Sequence, residues 1–591
     1  MLCCGDISGF SAKNNLKITK GMNAMQIKKI FAALLALAMV FSLAGCNKKD
    51  DNPSQSSSGA ETQDEFVIYH SSKELDSMLS AAARAYSKAT GKQIGVKFSE
   101  GGIASLLENE KPALFVADTK SDLSPLFEKG AFSEIASGLF GGAALPEGLW
   151  LNQNGAGSYG VPLMLEGYGY IFDRDMLSAL FGEEAAEALA RDLRLCSYTD
   201  FNGFAAAVET YIKAPSDATV TVNGSEYTFE KEKTGRAQML TGVFALTPES
   251  TRAYEYLMDY ALAAKFGKKA ELYSAAENDV NGMKDIFSAA AQALDDMTGK
   301  ISGVGGSIGR GEDFTGGDYT YSAAIDAFTG GFALFYPGST SDAADFKKSS
   351  VTFGENLDII PMKLPLSDSD ITAADMTAEK LNRSLAIGSR YYLAINPNAD
   401  AAKVSAARDF IKWLYTDNAG MAAFSESFGG FGFNYSGEGG EAAEENSAEN
   451  RMARSSVGSS AAESKPVSTD DNSVSTGDNP ASTGDNSVST DDNSTSTDGN
   501  SVSTGDGSSS TESGAAAGGY AVSGSLMRAL ARYYADGDWF PAMAYAVPGG
   551  WSSDVLGKSL TDYWNKPTWS DEDRESLVSG WITGWRDFLN K

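Results

Sequence analysis

The side chains that could do chemistry in this sequence are few in kind. Its only histidine is His70, which confines any histidine general base to one position and rules out a multi-histidine metal site. Four cysteines, Cys3, Cys4, Cys46 and Cys196, have no spacing that implies a disulfide framework. Residues 303–311 are glycine-rich but lack Gly-Lys-Ser/Thr and the full Gly-x-Gly-x-x-Gly spacing, so they read as a loop and not as a phosphate cradle. Carboxylates are plentiful: 78 Asp and Glu stand against 48 Lys and Arg, a formal net charge of -30 over 591 residues. That excess repels phosphate backbones and no basic patch offsets it, so no nucleic-acid partner is expected. Paired carboxylates are the groups that hydrolyse glycosidic bonds, yet no catalytic signature frames such a pair here. No catalytic residue, metal or cofactor is assigned.

The elements that would position polar side chains read as α/β. Residues 66–69 form a short β-rich run, and Leu75, Met78, Leu79, Ala82 and Tyr86 follow at helical spacing. Residues 94–98 and 114–117 are further short apolar runs. A strand, helix, strand repeat of about 25 residues implies mainly parallel sheets. Later, Val404, Ala407, Ile411 and Leu414 mark an amphipathic helix. Ser570 with Asp573 caps another, whose Leu577, Trp581, Trp585 and Phe588 line one face. These stripes read as core, and Cys196 as a small packed hydrophobe.

Two segments stand outside the folded body. Lys28 and Lys29 precede an apolar run over residues 30–41, followed by Leu43-Ala44-Gly45-Cys46 and a polar stretch. A dozen apolar residues fall short of the roughly 20 that span a bilayer, so 1–45 reads as a signal peptide, in which the residues before Met22 or Met25 read as a misassigned upstream start. Small residues before Cys46 resemble a bacterial lipobox, which implies lipidation of that cysteine and anchoring at the extracytoplasmic face of the cell membrane. Residues 46–64 then serve as a flexible tether. Residues 436–517 contain no aromatic side chain, carry 15 acids against 3 bases, and repeat every seven residues from Ser468, renewed at Ser475, Ser482, Ser489, Ser496 and Ser503. Such a composition cannot bury enough apolar surface to offset ordering entropy, and it reads as a disordered insertion. The Gly-Gly-x-Gly-x-Asp pattern of calcium β-rolls is absent from it.

The order of several strings resembles the extracellular solute-binding lipoproteins of ABC importers, of the carbohydrate type in the maltose-binding-protein-like superfamily. Tyr159-Gly160-Val161-Pro162 and the stretch from Glu166 through Phe172-Asp173-Arg174-Asp175-Met176-Leu177 are similar to that family's Tyr-Gly-Val-Pro and Tyr-Asn-Lys-Asp-Leu-Leu elements. Phe328-Thr329-Gly330-Gly331 with Pro337-Gly338 resembles its Gly-Lys-Ala-Ala-Met…Gly-x-Trp element without the Trp. Asp358-Ile359-Ile360-Pro361 and the helix at Ala407 to Leu414 look like the return crossing and the helix after it. The resemblance implies a two-lobed periplasmic-binding-protein-like (type II) architecture. Lobe 1 would take 65–165 and 357–427, and lobe 2 would take 166–356, 428–435 and 518–591.

Two α/β lobes joined by crossings leave a cleft, and ligands of open parallel sheets sit beyond the carboxyl ends of the strands. That places His70, Ser71 and Ser72, then Glu100, then Asp118 and Thr119 at the rim. A sugar needs flat apolar faces for its C–H surface and fork-like polar groups for its hydroxyls. Tyr168, Tyr336, Tyr391 and Trp551 suit the first, and Glu100, Asp118 and Glu166 the second; Gly338 joins them from the family string. For His70 a capping or packing role competes, for Glu166 a hinge hydrogen bond, and for Trp551 packing between the lobes. The implied protein is a monomer that closes on a small solute, a sugar by this reading, and docks on ABC permease subunits. A surface carbohydrate-active enzyme and an adhesion lipoprotein are the alternatives, the latter suggested by the Ser/Thr/Asp repeat.

Overall fold

The structure is a computed structural model that describes residues 65–589 apart from 122, 136, 141–144, 249–251, 275–281, 304–305, 308, 317–318, 351–352, 429, 431–523, 544–554 and 557. The signal peptide, Cys46, the tether, the acidic insertion and Trp551 therefore lie outside the described residues.

In chain order the strands are β1 (Phe66–His70), β2 (Ile94–Phe98), β3 (Leu114–Asp118), β4 (Leu151–Gln153), β5 (Ala156–Pro162), β6 (Glu166–Asp173), β7 (Thr219–Val222) and β8 (Ser225–Thr228). They continue with β9 (Gly242–Phe244), β10 (Ser302–Gly303), β11 (Gly306–Ser307), β12 (Ala333–Ser339), β13 (Leu357–Ile360), β14 (Leu385–Gly388), β15 (Tyr391–Ile395) and β16 (Trp539–Pro541). Two six-stranded sheets result. One has the order β2-β1-β3-β15-β5-β4, the other β16-β14-β6-β12-β9 with β13 also on β6. The pairs β7-β8 and β10-β11 stand apart as two-stranded ribbons.

Local sequence explains the frame. In β1 every second residue is buried, Phe66, Ile68 and His70, and the helix Leu75–Thr90 buries Leu75, Leu79, Ala82, Ala83 and Tyr86. Both faces contribute to one apolar core. All eight residues of β6 are buried, as befits a strand with neighbours on both sides and helices on both faces. The helix Ala401–Thr416 starts at Asp400, whose carboxylate accepts from Ala402 N and Lys403 N, and it buries Ala407, Ile411 and Leu414 as its spacing predicts. Ser570 and Asp573 bond reciprocally at the head of the helix Asp571–Leu589, and Leu577, Trp581 and Trp585 of that helix are buried. Cys196 is buried as well, its thiol donating to Leu193 O.

Two expectations need correction. Parallel pairing holds for β1 with β2 and β3, for β9 with β12 and for β14 with β16. However, β6 is antiparallel to β12, β13 and β14, and β15 is antiparallel to β3 and β5. Apart from the hairpin of β4 and β5, the exceptions in the two large sheets involve the strands that cross. A strand arriving from the other sheet enters at the edge where the strand-helix-strand units end, and so runs against them. The return to the first lobe also falls later than residue 357, because β13 and β14 both pair with β6. A buried apolar strand carries no sequence mark of which sheet it joins.

Candidate functional site

Two short crossings join the sheets. Residues 163–165 link Pro162, the end of β5, to Glu166, the start of β6; residues 389–390 link Gly388, the end of β14, to Tyr391, the start of β15. Leu163 N donates to Tyr391 O at 2.7 Å, tying one crossing to the other. Because β1 and β3 are parallel and Tyr391 is opposite Asp118, the carboxyl ends of those strands meet the second crossing at one edge of the first sheet.

Arg390 organises that edge. Its Nε and Nη2 donate to Asp118 Oδ1 and Oδ2 at 3.1 and 2.9 Å, a bidentate fork that fixes the guanidinium plane. Its Nη1 reaches Glu74 Oε1 at 3.3 Å, and the same oxygen accepts the Tyr391 hydroxyl. The Tyr391 hydroxyl also lies 3.1 Å from Ser72 Oγ, and the Arg390 guanidinium sits 4.5 Å over the Tyr391 ring. Thr119 donates twice, from N and Oγ1, to Arg390 O at 3.0 and 3.1 Å. Burial, followed by the bond to Glu74, raises the pKa of the Tyr391 phenol, so it stays a donor at neutral pH.

The second sheet meets this edge at Glu166, which is 6% exposed. Its Oε2 accepts from Ser339 Oγ at 2.9 Å and Ser341 Oγ at 3.1 Å, while among the described residues its Oε1 accepts no hydrogen bond. Asp342 closes a capping box on Ser339, accepting Ser339 N at 2.9 Å. Burial raises the Glu166 pKa; the two seryl hydroxyls lower it less, Asp342 adds to the rise and Arg390 opposes it. A raised folded-state value means that the native protein holds this proton above the pH at which the unfolded chain releases it. Stability from this group therefore falls as pH climbs from the ordinary carboxylate range, about 4.3. In thermal melts between pH 4 and 8, Glu166→Gln is expected to gain on wild type as pH rises. Parallel curves would remove the buried-proton account.

The structure gathers some of the expected residues and not others. Asp118 and Tyr391 meet through Arg390, and Glu166 faces them across the second crossing, since Gly388 is its partner on β14. His70 is fully buried and bonded locally: Nδ1 lies 2.9 Å from Ser72 O and Nε2 3.2 Å from Asp76 Oδ1. Both ring nitrogens are thus occupied within the turn that opens the first helix, which is the capping role. Ser71 follows it, partly buried, and Glu100 is exposed in the loop after β2. Tyr168 is wholly buried and stacked on Tyr256 with ring centres 4.5 Å apart. Tyr336 packs among Phe328 and Phe346 at 5.7 and 5.2 Å. These two tyrosines are core and offer no open face, because both lie on strands flanked by helices. Gly338 is a spacing residue: a Cβ there would stand 2.3 Å from the Tyr336 ring and 2.6 Å from Asp342 Oδ2. Arg390, Glu74, Ser339, Ser341 and Asp342 escaped the sequence reading. The one available signal was a charged residue, Arg390, wedged between two apolar runs. A shallow surface depression lined by Pro215, Asp217, Lys231 and Lys233 includes none of these groups.

Residues 81–447, more than half of the chain, match a family model described as bacterial extracellular solute-binding protein. Similar solved structures include a periplasmic solute-binding protein from Pectobacterium atrosepticum, at 11% identity over 89% of this chain and 98% of that one, with a TM-score of 0.48. A Thermus thermophilus maltotriose-binding protein bound with maltotriose has 11% identity over 88% and 99%, TM-score 0.42. A Streptococcus pneumoniae solute-binding protein in complex with the blood group A-trisaccharide has 11% identity over 87% and 98%, TM-score 0.42. No curated protein matches the chain.

Proposed function

Since the chain belongs to the family of bacterial extracellular solute-binding proteins, we propose that it captures a carbohydrate between its two lobes and hands it to an ABC permease. Family membership makes it a binding protein that works outside the cytoplasm. The observation that carries the finer reading is the junction of the crossings. There, the Arg390–Asp118 fork of the first sheet lies beside Glu166 of the second, a buried carboxylate held through one oxygen by Ser339 and Ser341, whose other oxygen accepts no hydrogen bond among the described residues. Directional donors and acceptors of this kind suit a neutral solute with many hydroxyls, each of which can both donate and accept. Asp118 and Glu166 would contact the solute, with Arg390, Glu74 and Tyr391, whose ring is buried under the Arg390 guanidinium, holding them in place. Ser71 and Glu100 lie at the same edge, and Trp551 is the aromatic left to supply a stacking face. Closure follows from differential contact, because a solute that touches both lobes stabilises only the arrangement that brings them together. The chain acts as a monomer held at the membrane by a lipid on Cys46, with 46–64 as tether.

Thermal melts of the purified protein against saccharides, polyols and amino acids test this reading. A solute at a hundred times its Kd adds about 2.7 kcal/mol, so at least one saccharide is expected to raise Tm by several degrees, and Asp118→Asn is expected to blunt that rise. Shifts confined to amino acids, or none, would overturn the carbohydrate assignment. For the anchor, Cys46→Ala is expected to move the protein from the membrane fraction to the medium, and unchanged partitioning would refute it.

A further inference from the structure

The lobes touch at a point that neither crossing includes. Gly148, in the turn Glu147–Leu149 of the first lobe, faces Pro541, the last residue of β16 on the edge of the second sheet. The approach is so close that a Cβ on Gly148 would stand 2.1 Å from Pro541 Cγ and 2.6 Å from its Cβ, where ordinary contact begins near 3.4 Å.

Both sides of this contact are braced. Leu149 and Trp150 are buried in an apolar core that also takes in Leu385 and Ile387 of β14, and Trp150 Nε1 donates to Leu145 O at 3.2 Å. Pro541 is opposite Ile387 on β14, and the next residue locks the register, Ala542 N donating to Ile387 O at 2.8 Å. Proline suits an edge strand, where its missing N–H costs no ladder bond, and its ring cannot rotate away as a flexible side chain would. Gly148 has no left-handed backbone angle, so glycine is not required there for its φ. What it supplies is the absence of a side chain.

We infer that the Gly148–Pro541 contact is a steric stop that sets the angle between the two lobes. A close approach between two braced elements leaves the crossings, residues 163–165 and 389–390, as the part that must turn when the stop changes. Adding one methyl group at Gly148 requires a retreat of roughly 1.3 Å to regain ordinary contact. The inference concerns the two-lobed fold itself and holds whatever solute is bound.

Hydrogen exchange read by mass spectrometry on the full, solute-free chain tests it. The reporters are the amides that pin the crossings: Leu163 N to Tyr391 O, Gly167 N to Thr340 Oγ1, and Thr119 N to Arg390 O. Gly148→Ala is expected to speed exchange at these amides by about fivefold or more while leaving β1 and β2 unchanged. Adding Pro541→Gly, which removes both clashing atoms, is expected to restore the wild-type pattern. Pro541→Gly alone abolishes the stop and is expected to loosen the same amides, which keeps the test decisive if Gly148→Ala does not fold. Faster exchange confined to residues 145–153 and 539–543, in whichever variant folds, would reduce the contact to local packing and overturn the inference.

Discussion

Replacing Asp358 by alanine is expected to lower the unfolding free energy by about 3 kcal/mol, the lower end of what breaking a buried ion pair costs. Asp358 is 4% exposed, on β13 at the far end of the second sheet from the crossings. Its Oδ2 accepts Arg174 Nε at 3.2 Å and Arg174 Nη2, and its Oδ1 accepts Arg532 Nη2 at 3.1 Å and Ile359 N at 2.9 Å. Truncation leaves two guanidiniums beside an apolar strand. Both are about one-third exposed and reach water in part, which holds the loss to the lower figure. The effect should be global. Arg532 lies on the helix Ser525–Asp536, where Ser525 Oγ also pairs with the start of β13 and the chain before it, accepting from Leu357 N and donating to Gly354 O. Burial alone would raise the Asp358 pKa, but Arg532, Arg174 and the hydrogen bonds outweigh it and hold it below the ordinary value. Its stabilisation is therefore present above about pH 3.9 and is lost as pH falls through the depressed folded-state value. Urea titrations at pH 7 and near pH 3 measure both effects: a gap between wild type and variant that is large at neutrality and narrows in acid. A gap below 1 kcal/mol at pH 7 would contradict the account.

Tyr168→Ala is expected to cost about 3 to 5 kcal/mol of stability, the range for removing a large buried aromatic side chain. The ring is fully buried and stacked on Tyr256, and Tyr260 donates its hydroxyl to Tyr168 O at 2.9 Å in the same core. The contrasting role, a platform for a sugar, predicts the reverse: a loss of about 2 kcal/mol of binding with the fold unharmed. Denaturation and titration calorimetry on the same variant separate these outcomes, using the saccharide that raises Tm most. A variant that melts like wild type but no longer binds would restore the platform role and reject the core assignment.

Much of the frame was legible because it depends on local rules. The β-rich run at residues 66–69, helical spacing from Leu75 to Tyr86 and the cap at Ser570 each depend on a few neighbouring residues. The burial of Trp581 and Trp585 was equally readable, since a helical stripe of large apolar groups has to be covered. The rim was only half legible. Asp118 and Tyr391 could be placed at the ends of strands, but Arg390, the group that joins them, could not, because its partners Asp118 and Glu74 are 272 and 316 residues away along the chain.

By itself the sequence determined the α/β class, the strand ends at which polar groups collect, the scarcity of catalytic side chains and the family strings. These follow from periodicity, composition and short-range order. Only the tertiary structure decided which sheet each buried strand joined, that Tyr168 and Tyr336 face packed neighbours, that Ser339 and Ser341 hold Glu166 through one oxygen, and that Gly148 meets Pro541. An apolar strand or a tyrosine has the same local signature whether it faces a cleft or a core. What separates the two is the presence of other chain segments on its far side, and that is fixed by long-range pairing that no short window of residues contains.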